Sequence, residues 1–423
     1  MQVYINGVCC PVYQNEIASY IIYCAKNNDE KTVKINICMD GDSNKAVIRP
    51  LSAEITPEVD GKCIDFEAAI PCKLSLEFEE ENRLPMFFFI YLPEVEVEAD
   101  KNIRYYGVGE HNVGDLIMNS GDVLYIAEGA VLHAHIFADK AENITVCGRG
   151  RIDLEGYSQK GRRLMRLHSC KNVTLKDVTF TGSYGWSCML SGCEKVTVDG
   201  INIMTWRETG DGIDIVGSHD VSVQNCFIRT ADDCIAIKAT NYCGDDGLQN
   251  VYNVKISDCV MWNARPGNGI EIGFETRCDE IYNIEFSDID IIHCEHEGWQ
   301  SGGTITIHNG DRAKVHDIIY RNIRVEDSVD KLFDFKVLKS NYSKDELRGS
   351  VENILVENVS VVDGAFPPSI LSGYEPDGSL VKNIRFINVC VHGRYIENIT
   401  ECRMIAERTK EIVFEVKNDT KKQ

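Results

Sequence analysis

The chain has 423 residues, 43% of them apolar and 26% charged, the composition of a soluble globular protein long enough for two domains or one large β architecture. A formal net charge of −22 argues against nucleic acid or an anionic membrane surface as partner, since either would need a basic stripe. No apolar run approaches the about 18 residues of a membrane span, and eighteen cysteines without a paired CxxC spacing read as buried reduced thiols, with no metal or cofactor implied.

At the N-terminus, MQVYINGVCCPVYQNE lacks a basic segment leading into an apolar one. No signal peptide is read there, and a cytoplasmic location is expected. The segments KTVKINICMD, KLSLEFEEE and PMFFFIYLPEVEVE then alternate apolar and polar residues, separated by the turn signals DGDSN and VDGK. They predict a small antiparallel β-sandwich domain over residues 1–98.

From residue 99 onward a repeat takes over. NVTLKDV (172–178), KVTVDGI (195–201), DVSVQNC (220–226), NVKISDC (253–259), NIEFSDI (283–289), DIIYRNI (317–323), NILVENV (353–359) and NIRFINV (383–389) share one pattern, with a worn copy in EIVFEVK (411–417). Copies recur at a spacing of roughly 23–36 residues, a solenoid period. Each copy is a short alternating strand, then Asp177, Gly200, Asn225, Asp258, Asp288, Asn322, Asn358 or Asn388, then a second short strand. Only Asp, Asn and Gly occupy that place, the residues that tolerate the left-handed backbone of a sharp bend. A leucine-rich horseshoe would demand leucines at fixed offsets and a helical segment per unit, and neither is present. The expected fold class is therefore all-β: a right-handed parallel β-helix over 99–423, with inward Val, Ile and Leu stacking about 4.8 Å apart. KLFDFKVLKSNYSKDELRGS (331–350) reads as an excursion from a coil, and KNDTKKQ as a polar tail.

Within the repeats, GDGIDIV, DDCIAIK, GNGIEIG and GGTITIH align on Ile213, Ile235, Ile270 and Ile305. Two residues ahead of these isoleucines stand Asp211, Asp233, Asn268 and Gly303. Just after them stand Asp214, Ala236, Glu271 and Thr306, which should face outward. Asp211 and Asp233 become stacked neighbours with Asp232 beside them. As solvated strand ends such residues would be unremarked. As clustered carboxylates they cannot all ionise, so an acid and a base can coexist near neutral pH. Glycosidic-bond hydrolysis needs that pair, one to protonate the leaving oxygen and one to activate water. The four tryptophans, Trp186, Trp206, Trp262 and Trp299, fall in the coils around the cluster, where some can stack on sugar rings and others pack the core. Candidate substrate contacts are Asn268, Glu271, Lys238, Arg265, Trp186, Trp299, Thr306 and His308.

TGDGID at 209–214, ADDC at 231–234 and GNGIEIG at 267–273 resemble the Asn-Thr-Asp-Gly, Asp-Asp-Cys and Gly-His-Gly signatures of glycoside hydrolase family 28, the polygalacturonase-type enzymes. The likeness runs from about 101 to 390, and Asp211 and Asp232 stand 21 residues apart, one coil, as in that family. It implies an inverting hydrolase with Asp232 as general acid and Asp211 and Asp233 holding the nucleophilic water. The sandwich, YYGVGEHNVGDL and LYIAEGAV also resemble dextranase-type enzymes of family 49. Two departures stand out. The family histidine is Asn268, and the place of Arg-Ile-Lys holds Thr304-Ile305-Thr306, so the cations that grip a uronate are absent there. Arg265 or Lys238 could replace them; a neutral or amino sugar fits at least as well.

The expected function is an exo-acting glycosidase on an oligo- or polysaccharide. The alternatives are a calcium-dependent lyase or epimerase on the same fold, with Arg265 or Lys238 as base, and a non-catalytic carbohydrate-binding β-helix.

Overall fold

The computed structural model describes residues 1–41, 43, 45–79, 83–94, 102–157, 162–296 and 301–417. The chain separates into two compact units, Met1–Lys101 and Asn102–Gln423.

The first unit contains two five-stranded sheets. One is built around Gln2–Ile5, Thr32–Cys38 and Cys63–Ala69, the other around Ser19–Cys24, Met86–Tyr91 and Cys72–Phe78. Alternation does what the sequence suggests: Val33, Ile35 and Ile37 point inward while Thr32, Lys34 and Asn36 do not. Ile35, Ile64 and Phe66 of one sheet share a core with Ile21, Leu74, Leu76 and Phe88 of the other. Phe66 and Phe88 meet edge to face at 5.5 Å between ring centres, which closes the sandwich. One pairing departs from the antiparallel expectation, since Ser19–Cys24 runs parallel to Met86–Tyr91. A parallel pair needs a long crossover, and the intervening chain supplies it by passing through strands of both sheets. Met86–Tyr91 is buried along its whole length, as a central strand covered on both faces must be.

The second unit is one continuous 30-stranded sheet wound into a right-handed parallel β-helix. The repeats stack in register: Val173, Val196, Val221, Val254, Ile284, Ile318, Ile354, Ile384 and Ile412 form a single inward column. All eight bend positions read from the sequence have positive φ, from 53° at Asn388 to 74° at Gly200. A second left-handed position opens each repeat, at Asn172, Lys195, Asp220, Asn253, Asn283, Asp317, Asn353, Asn383 and Glu411. The sequence reading missed it because Lys195 and Glu411 break the Asn/Asp pattern. Amide ladders lock both bends, with Asn358 Nδ2 donating to Asn322 Oδ1 at 3.0 Å and Asn283 Nδ2 to Asn253 Oδ1 at 2.6 Å. An asparagine suits such a column because it donates to one coil and accepts from the next.

The segment 331–350 needs correction. Phe333–Val337 is a fully buried strand in register with Ile305–Asn309, so the excursion begins only after it. Phe333 and Phe335 enter the common core and fix the strand. No helix among the described residues is long and apolar enough to cross a membrane.

Candidate active site

Strand pairing places Ile213, Ile235, Ile270 and Ile305 in one inward column, and Asp214, Ala236, Glu271 and Thr306 in the adjacent outward one. The residues ahead of the strands stack too. Gly212 N–H donates to the Asp233 carbonyl at 2.8 Å, and Cys234 N–H to the Asn268 carbonyl at 3.0 Å. The acidic turn itself is held from below: Thr230 Oγ1 and Asn263 Nδ2 both donate to the Asp232 carbonyl, at 2.6 and 2.9 Å. Gly267 presses on it from the next coil. A Cβ there would lie 2.0 Å from the Asp232 carbonyl carbon, so any side chain would displace the turn.

This framework brings one carboxylate oxygen each of Asp211, Asp232 and Asp233 within 4.8 Å of one another. Lys238, on the strand that follows the doublet, is buried beneath them. Its Nζ donates to Asp211 Oδ2 at 3.1 Å and lies 3.5 Å from Asp214 and 3.8 Å from Asp233. Burial alone would push the lysine down, but Asp211, Asp214, Glu275 and Asp233 together hold it well above its ordinary value, so it stays charged. Asp233 Oδ1 accepts two hydrogen bonds from Asn268, from the backbone N–H at 2.9 Å and from Nδ2 at 2.8 Å. The Asn268 side-chain oxygen accepts from Gly303 N–H at 2.9 Å, which fixes the amide's orientation.

The three aspartates do not titrate alike. Burial raises Asp232 well above the usual carboxylate range, and the charges of Asp211 and Asp233 raise it further. Asp233 is pushed up to about 7 by burial, with Lys238 pulling the other way. Burial raises Asp211 too, against the direct bond from Lys238. The cluster therefore pairs a carboxyl that keeps its proton with two that have a cation or amide donors to support ionisation. Asp214, fully buried behind them, is also raised well above its ordinary value by burial.

The remaining candidates fall into different places. Lys238 is committed to the aspartates and protonated, so it is neither a free substrate cation nor a lyase base. Glu271 lies on the outward column yet is fully covered. It accepts from Thr306 Oγ1, and its Oε2 lies 2.8 Å from His308 Nδ1. His308 Nε2 faces Asp334 Oδ2 at 3.2 Å, and Asp334 in turn holds Lys336 at 2.9 Å. Burial would lower His308, but Glu271 and Asp334 overrule it and raise it to about 9. Trp186 is half-buried, and its ring carries Arg163 and Lys238, each 4.4 Å from the ring centre. Trp262 donates its indole N–H to Glu295 at 2.8 Å. Arg265 is exposed on the turn two residues before Gly267. Trp299 lies outside the described residues.

Sequence reasoning missed Asp334, Lys336, Arg163 and His296. Asp334 is in register with Thr306, a signal hidden once FDFKV was assigned to an excursion. His296 Nδ1 sits 2.8 and 3.0 Å from the carbonyls of Pro266 and Gly267, and so anchors the turn that covers Asp232.

Comparison with known proteins agrees with this geometry. The pattern of the glycosyl hydrolases family 28 matches residues 129–364, more than half of the chain and all of the aspartate coils. A probable polygalacturonase of Arabidopsis thaliana is 29% identical over 198 residues, 45% of this chain and 40% of that protein. The match thus spans less than half the length of that relative. Among solved structures, a family 28 exopolygalacturonase of Yersinia enterocolitica superposes with a TM-score of 0.59 at 13% identity, covering 93% of this chain and 95% of its own. Dex49A of Penicillium minioluteum gives 0.53 at 13% identity, covering 90% of this chain and 78% of its own. These two share the fold. Given the extent of the family match and the stacked aspartates inside it, the chain belongs to glycoside hydrolase family 28.

Proposed function

We propose that the protein hydrolyses glycosidic bonds of a pectin-type polysaccharide or its oligosaccharides, releasing sugars from a chain end. The observation that carries this reading is the three-carboxylate cluster with one buried lysine beneath it. Asp232 is the general acid: kept protonated by burial and by its neighbours, it donates its proton to the leaving glycosidic oxygen. Asp211 and Asp233, backed by Lys238 and Asn268, hold and deprotonate the water that attacks the anomeric carbon, with inversion. End-wise action is supported by likeness over nearly the whole chain to an exopolygalacturonase.

Proton NMR of the first-released anomer from an oligogalacturonate tests the stereochemistry: the inverted anomer is expected, and the retained one would overturn the role given to the water. Asp232→Asn tests the assignment as a whole: turnover should fall by about 10²–10⁴-fold while the fold persists. Activity near the wild-type level in that variant would remove Asp232 from the chemistry.

A further inference from the structure

A cleft of about 660 Å³ opens among the coils that precede the aspartates, within the about 300–1,000 Å³ of small-molecule sites. Arg162, Arg163, Arg166 and His168 converge on it together with Phe137 and Cys243. In a chain of net charge −22, three arginines within five positions on one wall stand out. Two of the four basic groups have acidic partners in the cleft. Arg162 meets Asp115 at 2.5 Å, and His168 Nδ1 meets Asp139 at 2.6 Å. Among the described residues no ion pair engages Arg163 or Arg166. Their guanidinium groups lie over aromatic rings, Arg166 at 5.0 Å from the centre of Phe137 and Arg163 at 4.4 Å from that of Trp186. A guanidinium held over a ring is oriented, and its in-plane N–H edge remains available to a planar anion.

The cleft also sits in line with the chemistry. Phe137, Arg166, Met189 and Asp214 form one outward column, so Arg166 lies two coils from Asp214, roughly 10 Å at strand spacing. Arg163 and Lys238 share the indole of Trp186, and Lys238 bonds Asp211 directly. A glycan whose scissile bond lies at the aspartates would therefore lay a neighbouring sugar into the arginine cleft. On the opposite side, Thr304-Ile305-Thr306 offers no cation, and Lys336 is bound to Asp334.

We propose that the Arg163–Arg166 cleft is the subsite that reads the carboxylate of a uronate residue on the side of the aspartates toward the N-terminal coils. Recognition of the acidic substituent thereby moves from the Thr304–Thr306 place to the opposite side of the reacting bond. The inference deepens the proposed hydrolase reading and rests on it, but it is testable by binding alone. Calorimetry on the full chain carrying Asp232→Asn would compare trigalacturonate with its carboxyl-reduced, neutral counterpart. Adding Arg166→Gln should weaken trigalacturonate at least tenfold and move the neutral ligand less than twofold. Arg163→Gln should in addition abolish the uronate-dependent change in tryptophan fluorescence, because its guanidinium lies on Trp186. Equal losses for both ligands, or none for either, would overturn the subsite. Turnover by the unsubstituted protein separates the two readings. Arginine-dependent binding without hydrolysis refutes the enzyme and leaves the subsite; hydrolysis with arginine-independent binding does the reverse.

Discussion

Three aspartates of one residue type carry three different proton affinities because their neighbours differ. Asp232 gains its high value from burial and two adjacent charges, whereas Asp233 settles at about 7 with Lys238 and Asn268 supporting its ionised form. The rate should then follow a bell. It rises as Asp233 loses its proton near pH 7, and falls at higher pH once Asp232 ionises. A pH profile of kcat on an oligogalacturonate checks both limbs. Lys238→Met should move the acid limb upward, since Asp211 and Asp233 lose the cation that favours their charged forms, and should cost about 3–5 kcal/mol of stability through uncompensated buried carboxylates. Activity and denaturant midpoint measured together test this. The doublet and Asp211 were legible in the sequence because one coil separates them. The role of Lys238 was not, because strand alternation gives a side chain's face and says nothing of which groups surround its end.

At the scale of elements, turns and relays position the residues. Gly267→Ala places a methyl against the Asp232 backbone, and a displacement of about 1 Å should lower kcat by roughly 10²-fold. An unchanged kcat would show that the two turns move independently. The relay Glu271–His308–Asp334 contributes through pH. His308 has its value raised to about 9, so its stabilisation is complete below its ordinary 6.5 and is lost as pH rises through about 9. Asp334 is lowered despite burial, by its bond from His308 and by Lys336, so its contribution is present above the ordinary carboxylate range and is lost in acid. Thermal melts from pH 6.5 to 9.5 should show wild-type protein losing on the order of 3 kcal/mol. His308→Gln should flatten that slope. Half of this relay was readable in GNGIEIG and GGTITIH. The other half lies on Phe333–Val337, five residues followed by a long loop, where no repeat signature marks the register.

For the whole molecule, the β-helix buries each coil against its two neighbours, so protection should depend on position along the stack. Inner strands such as Ile235–Ala239 are wholly buried, whereas the last, Thr409–Glu415, is partly exposed along its length. Amide hydrogen exchange should therefore be fastest at Ile405–Glu415 and slowest in the aspartate coils. Uniform protection would argue against coil-by-coil stability. The sequence by itself determined the β-helix, its eight bends and the stacking of Asp211 on Asp233, because a repeat with a fixed bend residue allows one winding register. Only the tertiary structure decided where the charges are compensated. It placed Lys238 under the aspartates, covered Glu271 with His308, and set Arg163 and Arg166 in one cleft, because those contacts join coils at separations that no local pattern encodes.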